Sequence, residues 1–205
     1  MEVLRDDGLY RHIRFREPGT MCMHFDLVTW PGYLAYSGDM GCYVFSRLAD
    51  MFEFFRTDRS YNSGRLGINL GYWSEKLVAV DGNRDRASAK EFCEEKFRSV
   101  ICEYRLNWIR EAARSGILDK EARRELWESV EDEVLCRIGD NNDAAMTAAN
   151  EFSWSAGYKR RSWFFEDLWD HSFTEFTHSF VWCCYALAWG IKTYDEAKEK
   201  EAAHA

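Results

Sequence analysis

The sequence predicts an α+β fold: an N-terminal antiparallel β-meander of about four strands followed by a mainly α-helical C-terminal part. Three observations carry the prediction. Between Tyr10 and Phe45, short runs alternate polar and apolar side chains and are broken by Gly and Pro, as half-buried strands joined by tight turns require. From about residue 88 onward, apolar residues return every three or four positions, as one stripe of a helix does. Strands first and helices afterwards, rather than the two in alternation, is the order of an α+β chain.

Each element follows from its residues. Tyr10 to Phe15 places Arg11, Ile13 and Phe15 on one side and His12 and Arg14 on the other. Pro18-Gly19 provides the two central residues of a type II turn. The next run sets Met21, Met23, Phe25 and Leu27 against Cys22, His24, Asp26 and Val28, and Trp30-Pro31-Gly32 ends it. Tyr33 to Ser37 and Cys42 to Phe45 complete the meander around the turn Gly38-Asp39-Met40-Gly41. Ser46 then caps a helix carrying Leu48, Met51, Phe52 and Phe55 on one stripe. Thr57 to Gly71 reads as a loop, Tyr72 to Val80 as a short helix, and Asp81-Gly82-Asn83-Arg84-Asp85-Arg86 as a linker. The expected division is therefore 1–87 and 88–205, packed as one compact unit. In the second part, Ser88-x-x-Glu91 predicts a capping box opening a long helix that bears Phe92, Phe97, Ile101, Tyr104 and Trp108 and stops at Gly116. Asp119 caps a helix with Ala122, Leu126, Val130 and Ile138; an Ala-rich helix starts at Asp140 to Asp143 and ends near Gly157. Trp163 to Trp169 forms an aromatic turn or short helix. The last helix runs from about Phe173 to Lys198, with Phe176, Phe180, Leu187 and Ile191 inward.

Composition narrows the function. The 205 residues are 46% hydrophobic, which suffices for a core, and 16% aromatic with nine Trp. No apolar run approaches the roughly 18 residues of a membrane span, and the charged start Met1-Glu2-Val3-Leu4-Arg5-Asp6-Asp7 does not read as a signal peptide. Seven scattered Cys without a CxxC pair read as reduced thiols in a reducing cytoplasm. The net charge of −8 is concentrated: the stretch 119–151 carries 4 basic and 10 acidic side chains, whereas 88–118 carries 6 and 5. Generalised nucleic-acid binding by counterion release is thereby disfavoured, and the acidic helices are either a solvated face or a surface for a basic partner.

Aromatic rings beside cations are the constellation most suggestive of a ligand. Trp154, Tyr158, Lys159, Arg160, Arg161, Trp163, Phe164 and Phe165 cluster in sequence, and guanidinium forks with flat rings suit phosphates and bases respectively. The alternative is that the rings are core and the cations a solvated loop. His12, Arg14 and Arg16 on one strand face form a second candidate anion site, with Arg47, Arg56, Arg59 and Arg65 close by in sequence. His171, Glu175 and His178 fall on one face of the expected last helix, half of a carboxylate-bridged metal motif, but the second half is lacking and a polar cluster is the simpler reading. GxxxxGK[ST], GxGxxG after a strand, HExxH and GxSxG are all missing. The expectation is a binding protein without cofactor or metal rather than an enzyme.

Several segments carry a family resemblance. Tyr10-Arg11-His12-Ile13-Arg14-Phe15, Phe25-Asp26-Leu27-Val28-Thr29-Trp30-Pro31-Gly32, Ser37-Gly38-Asp39-Met40-Gly41, Ile68-Asn69-Leu70-Gly71-Tyr72-Trp73 and Phe180-Val181-Trp182-Cys183-Cys184-Tyr185 resemble a family of uncharacterised accessory proteins of tailed bacteriophages and prophages. The resemblance also takes in the run from Phe45 to Arg56 and continues from Tyr185 through Ala186-Leu187-Ala188-Trp189-Gly190. It implies a protein acting in the host bacterial cytoplasm, often against host defence, and brings no catalytic residues with it. The leading expectation is thus sequestration of a small nucleotide immune signal, with Arg14, Arg160 and Arg161 on phosphates and Trp30, Tyr158 and Trp163 stacking on bases. The alternative is a protein-protein inhibitor of a host defence nuclease or nucleic-acid-binding complex, using the acidic helices between Asp119 and Glu151, Glu128 and Glu131 among them. A metal-dependent hydrolase built on His171, Glu175 and His178 ranks third. A homo-oligomer sharing a pocket between subunits is compatible with the aromatic content.

Overall fold

A computed structural model of the chain describes residues 1–20, 22–57, 66–81, 89–139, 142–157 and 161–204. The first elements are β1 (Glu2–Asp7), β2 (Tyr10–Phe15), β3 (Phe25–Trp30), β4 (Tyr33–Gly38), β5 (Gly41–Ser46), α1 (Met51–Arg56), α2 (Leu70–Ser74) and β6 (Leu77–Val80). They are followed by β7 (Lys90–Phe92), α3 (Glu94–Ser115), α4 (Lys120–Glu133), α5 (Asn142–Glu151), β8 (Trp154–Ser155), β9 (Ser162–Trp163), β10 (Thr174–Phe176) and α6 (His178–His204). The architecture is α+β. The chain divides into two units, Met1–Glu91 with Phe176–Ala205, and Phe92–Glu175. The expected boundary at 87/88 thus moves to 91/92, and the last helix belongs with the sheet.

In the first unit six antiparallel strands lie in the order β1-β2-β3-β4-β5-β6. The register lines up Ile13, Leu27, Tyr36 and Tyr43 across one face, and all four are fully buried. A meander cannot bury that face by itself. α6 does it, with Phe180, Cys183, Leu187 and Ile191 in the same apolar cluster as Phe52, Phe55 and Trp73. Gly190 brings the helix close, since a Cβ there would lie 3.1 Å from Leu27 Cδ1. Burial drives the Cys183 and Cys184 thiols upward in pKa, so both stay protonated and pack as small apolar groups.

The meander has six strands, two more than expected. β1 is exposed along its whole length and shows no alternation to betray it. β6 is the run Leu-Val-Ala-Val, whose apolar continuity is equally readable as helix, and the short helix expected over 72–80 is in fact α2 followed by this strand. β3 starts at Phe25 because Met23 sits at a positive φ of 56°, outside the strand region. Asp50, not Ser46, caps α1 by accepting the Phe52 N–H. The expected linker from Gly82 and the residue Ser88 of the expected capping box lie outside the described residues. Cys93 precedes α3, and Lys90–Phe92 is strand rather than helix.

Ion pairs close this unit at one end. Arg11 forks onto Asp50 at 2.8 and 2.9 Å, Arg56 onto Asp195 at 3.0 and 2.6 Å, and Asp6 accepts from Tyr194 at 2.9 Å and Lys198 at 2.9 Å. For Asp50, burial raises the carboxyl pKa, but the Arg11 hydrogen bonds and the Phe52 N–H outweigh it, and the net direction is down from 3.8. Asp6 is likewise lowered, burial being outweighed by Lys198 and Tyr194. A carboxylate depressed on folding stabilises fully above its unfolded value and loses that contribution as pH falls through the folded one. Urea midpoints of the sheet unit are therefore expected to hold down to about pH 5 and to decline from about pH 4 to 2. Asp50→Asn should flatten that decline.

The second unit has its own core. α3 turns Phe97, Ile101, Trp108 and Ala112 inward against Leu126 and Val130 of α4 and Ala145 and Ala149 of α5. Asp119 caps α4 as expected, accepting the Ala122 N–H at 2.8 Å, and Gly116 ends α3 at a φ of 67°. Arg105 points inward: it is buried, gives a hydrogen bond to Glu131 at 2.7 Å and lies 3.7 Å from the Trp127 ring centre. β8 and β9 form a small hairpin that sets Trp154 opposite Trp163.

Candidate functional site

Helical spacing creates the site. With Trp108 and Ala112 facing the core, Asn107, Arg110, Glu111, Arg114 and Ser115 are left on the solvent side of α3, where they line an open depression of about 580 Å³. Arg110 and Arg114 stand one turn apart, and neither enters an ion pair among the described residues. Arg161, just before β9, reaches this surface and donates from Nη1 and Nη2 to the two oxygens of the Glu111 carboxylate. Arg110 and Arg114 thus line the same depression as the carboxylate that Arg161 holds. Arg161 and Glu111 are each about half exposed (49% and 50%), and an ion pair so open to water contributes no more than about 1 kcal/mol. It can be exchanged for a stronger anion.

The six residues expected to bind ligand are dispersed. Arg161 is at the depression just described. Trp163 is 2% exposed within the core cluster that also holds Phe152 and Phe165, its ring centre 6.1 Å from that of Trp108 and the Arg161 guanidinium 4.5 Å from its centre. The expected stacking role of Trp163 is corrected: its rings pack, and no face is open to a base. Tyr158 and Arg160, with Lys159 between them, lie outside the described residues. Arg14 and Trp30 belong to the sheet unit. Arg14 forks onto Asp26 at 3.0 and 2.9 Å, and His12 Nε2 shares the same carboxylate at 2.8 Å. Burial raises the Asp26 pKa, yet Arg14 and His12 outweigh it and hold the carboxyl below its ordinary value. On that strand face Arg14 is compensated by Asp26, while Arg14 and Arg16 also line a depression of about 380 Å³ with Met1, Glu2, Pro18 and Gly19. Trp30, 36% exposed, stacks on Tyr33 with ring centres 5.3 Å apart. Of the other cations, Arg56 is bound to Asp195, Arg16 lies 3.5 Å from Glu2, and Arg59 and Arg65 lie outside the described residues.

The metal reading does not keep its geometry. His171 follows a 3-10 turn, Glu175 is in β10 and His178 opens α6, so the three share no helix face. Among the described residues no group of three or more His, Cys, Asp or Glu is placed to hold a metal ion. The acidic stretch behaves differently. Asp132, Glu133, Asp143 and Glu151 line an open cleft of about 740 Å³ with Arg137, Thr147 and Phe152. Glu128 and Glu131, the acids singled out from the sequence, are instead engaged by Arg124 at 3.1 Å and Arg105 at 2.7 Å.

Sequence reasoning passed over Arg110 and Arg114. The available signal was an Arg pair at i and i+4, opposite the Trp108–Ala112 stripe, in the stretch 88–118, where basic side chains outnumber acidic ones by 6 to 5. Comparison with protein-family models, curated proteins and solved structures finds no match to this chain. Among the described residues no helix is long and apolar enough to cross a membrane.

Proposed function

We propose that this protein captures a small phosphate-bearing ligand of the nucleotide class and holds it without chemical turnover. The observation that supports this reading is the α3 surface, where Arg110 and Arg114 stand uncompensated among the described residues beside the exchangeable Arg161–Glu111 pair. Guanidinium forks match phosphate oxygens in bidentate geometry, and Asn107 adds an amide that can donate to or accept from a ribose or base edge. With Trp163 enclosed, the ligand is gripped by its phosphates rather than by stacking on that ring. Joined to the resemblance to phage accessory proteins, the reading makes the ligand a nucleotide immune signal, such as a cyclic oligonucleotide, and the place of action the host bacterial cytoplasm. Titration calorimetry against cyclic dinucleotides, cyclic ADP-ribose derivatives and linear nucleotides tests it. At least one should bind and return chemically intact after the protein is denatured. Absence of binding across the panel by the folded protein would dismiss the reading, and a converted ligand would dismiss its non-catalytic part.

A second reading has an observation of its own. The acidic cleft between α4 and α5 suits a basic protein surface, as an inhibitor of a host nuclease would. Charge reversal at Asp132 and Glu151, not at the internally paired Glu128 and Glu131, is the variant that would break such a complex.

A further inference from the structure

Within the capture reading, which this inference presupposes, the structure assigns Glu111 the role of a tethered competitor that makes the α3 site select phosphates over carboxylates. Glu111 lies between Arg110 and Arg114 in sequence and occupies the Nη1–Nη2 edge of the Arg161 guanidinium. The ion pair is half exposed, so Glu111 loses its partner into water rather than into an apolar interior when Arg161 turns away. A ligand carboxylate offers Arg161 the same two oxygens and the same single charge as Glu111. The tethered group wins that contest because it is held at high effective concentration. A phosphate monoester, pyrophosphate or paired phosphodiesters bring more charge and further acceptor oxygens, and these engage Arg110 and Arg114 at the same time. Metabolite carboxylates are thereby excluded from an arginine surface that would otherwise attract them.

The arrangement predicts a gain on removing a side chain. Glu111→Gln keeps the shape, releases Arg161 and removes a like charge from the ligand's surroundings. Inorganic pyrophosphate and a cyclic dinucleotide should each bind about tenfold tighter to it, equivalent to about 1.4 kcal/mol. Succinate, invisible to the natural protein, should bind measurably. Glu103→Gln, an exposed acid elsewhere on α3, removes the same formal charge and should leave affinity within about twofold. In an Arg161→Ala background, Glu111→Gln should bring a gain of no more than about twofold, whereas a general charge effect would bring the same tenfold there. If the natural protein binds pyrophosphate but Glu111→Gln binds it no more tightly, or still excludes succinate, the competitor role is overturned while the capture reading stands. If neither protein binds any phosphate probe, both fall together.

Discussion

Replacing Gly38 with alanine is expected to destabilise the sheet unit by about 3 kcal/mol or more, lowering its thermal midpoint by roughly 6–12 °C. A Cβ at Gly38 would lie 2.3 Å from the carbonyl oxygen of His24 and 2.8 Å from Phe25 Cβ. Neither atom can yield cheaply. The His24 oxygen already accepts the Asp39 N–H at 3.2 Å, and Phe25 is buried in the core, stacked on Phe15. Gly38 therefore serves by lacking a side chain. Gly8 offers the contrast: its φ is 61° and nothing lies within 4 Å of its missing Cβ, so Gly8→Ala meets only the left-handed backbone penalty of about 1 kcal/mol. Thermal and urea unfolding of the two variants separate steric exclusion from backbone freedom. Equal losses would refute the crowding argument.

That contrast also marks what sequence could and could not supply. Gly38-Asp39-Met40-Gly41 was readable as a hairpin turn, and Gly41 does adopt a φ of 103°. The approach of the His24 carbonyl to Gly38 depends on the packing of β3 against β4 and leaves no local trace. The alternation of β2, β4 and β5 was legible for the same reason that these strands are buried on one face. β1 lies at the sheet edge with both faces exposed, and there periodicity carries no information. The partnership of α6 with the sheet was hidden for another reason: its burial extends nearly around the helix, with Ala186, Leu187, Ala188 and Gly190 all enclosed, so no single stripe named a neighbour. At the candidate site Arg161 was found because cations and rings are adjacent in sequence. That same adjacency misled for Trp163, whose ring the core claims. Arg110 and Arg114, about fifty residues away, join Arg161 only through the fold.

Converting Arg110 and Arg114 together to alanine is expected to abolish ligand capture, with a loss of about 100-fold or more in affinity. Each hydrogen bond from a charged donor to phosphate contributes about 1.5–3 kcal/mol, and two guanidiniums vanish at once. Stability should hardly change, since both side chains are exposed and unpaired among the described residues. The double variant thus separates binding from folding more cleanly than Arg161→Ala, which also uncovers the Trp163 ring. The salt dependence should diverge as well: affinity of the natural protein should fall steeply between 50 and 200 mM salt, as screening requires, and any residual affinity of the variant should fall much less.

The decisive measurement is a calorimetric titration of the best phosphate-bearing ligand into the natural protein and into the Arg110→Ala/Arg114→Ala variant, with unfolding midpoints recorded for both. Matching midpoints are expected, with saturable binding to the first and none to the second. Equal affinities in two equally folded proteins would place any ligand elsewhere and contradict capture at the α3 surface.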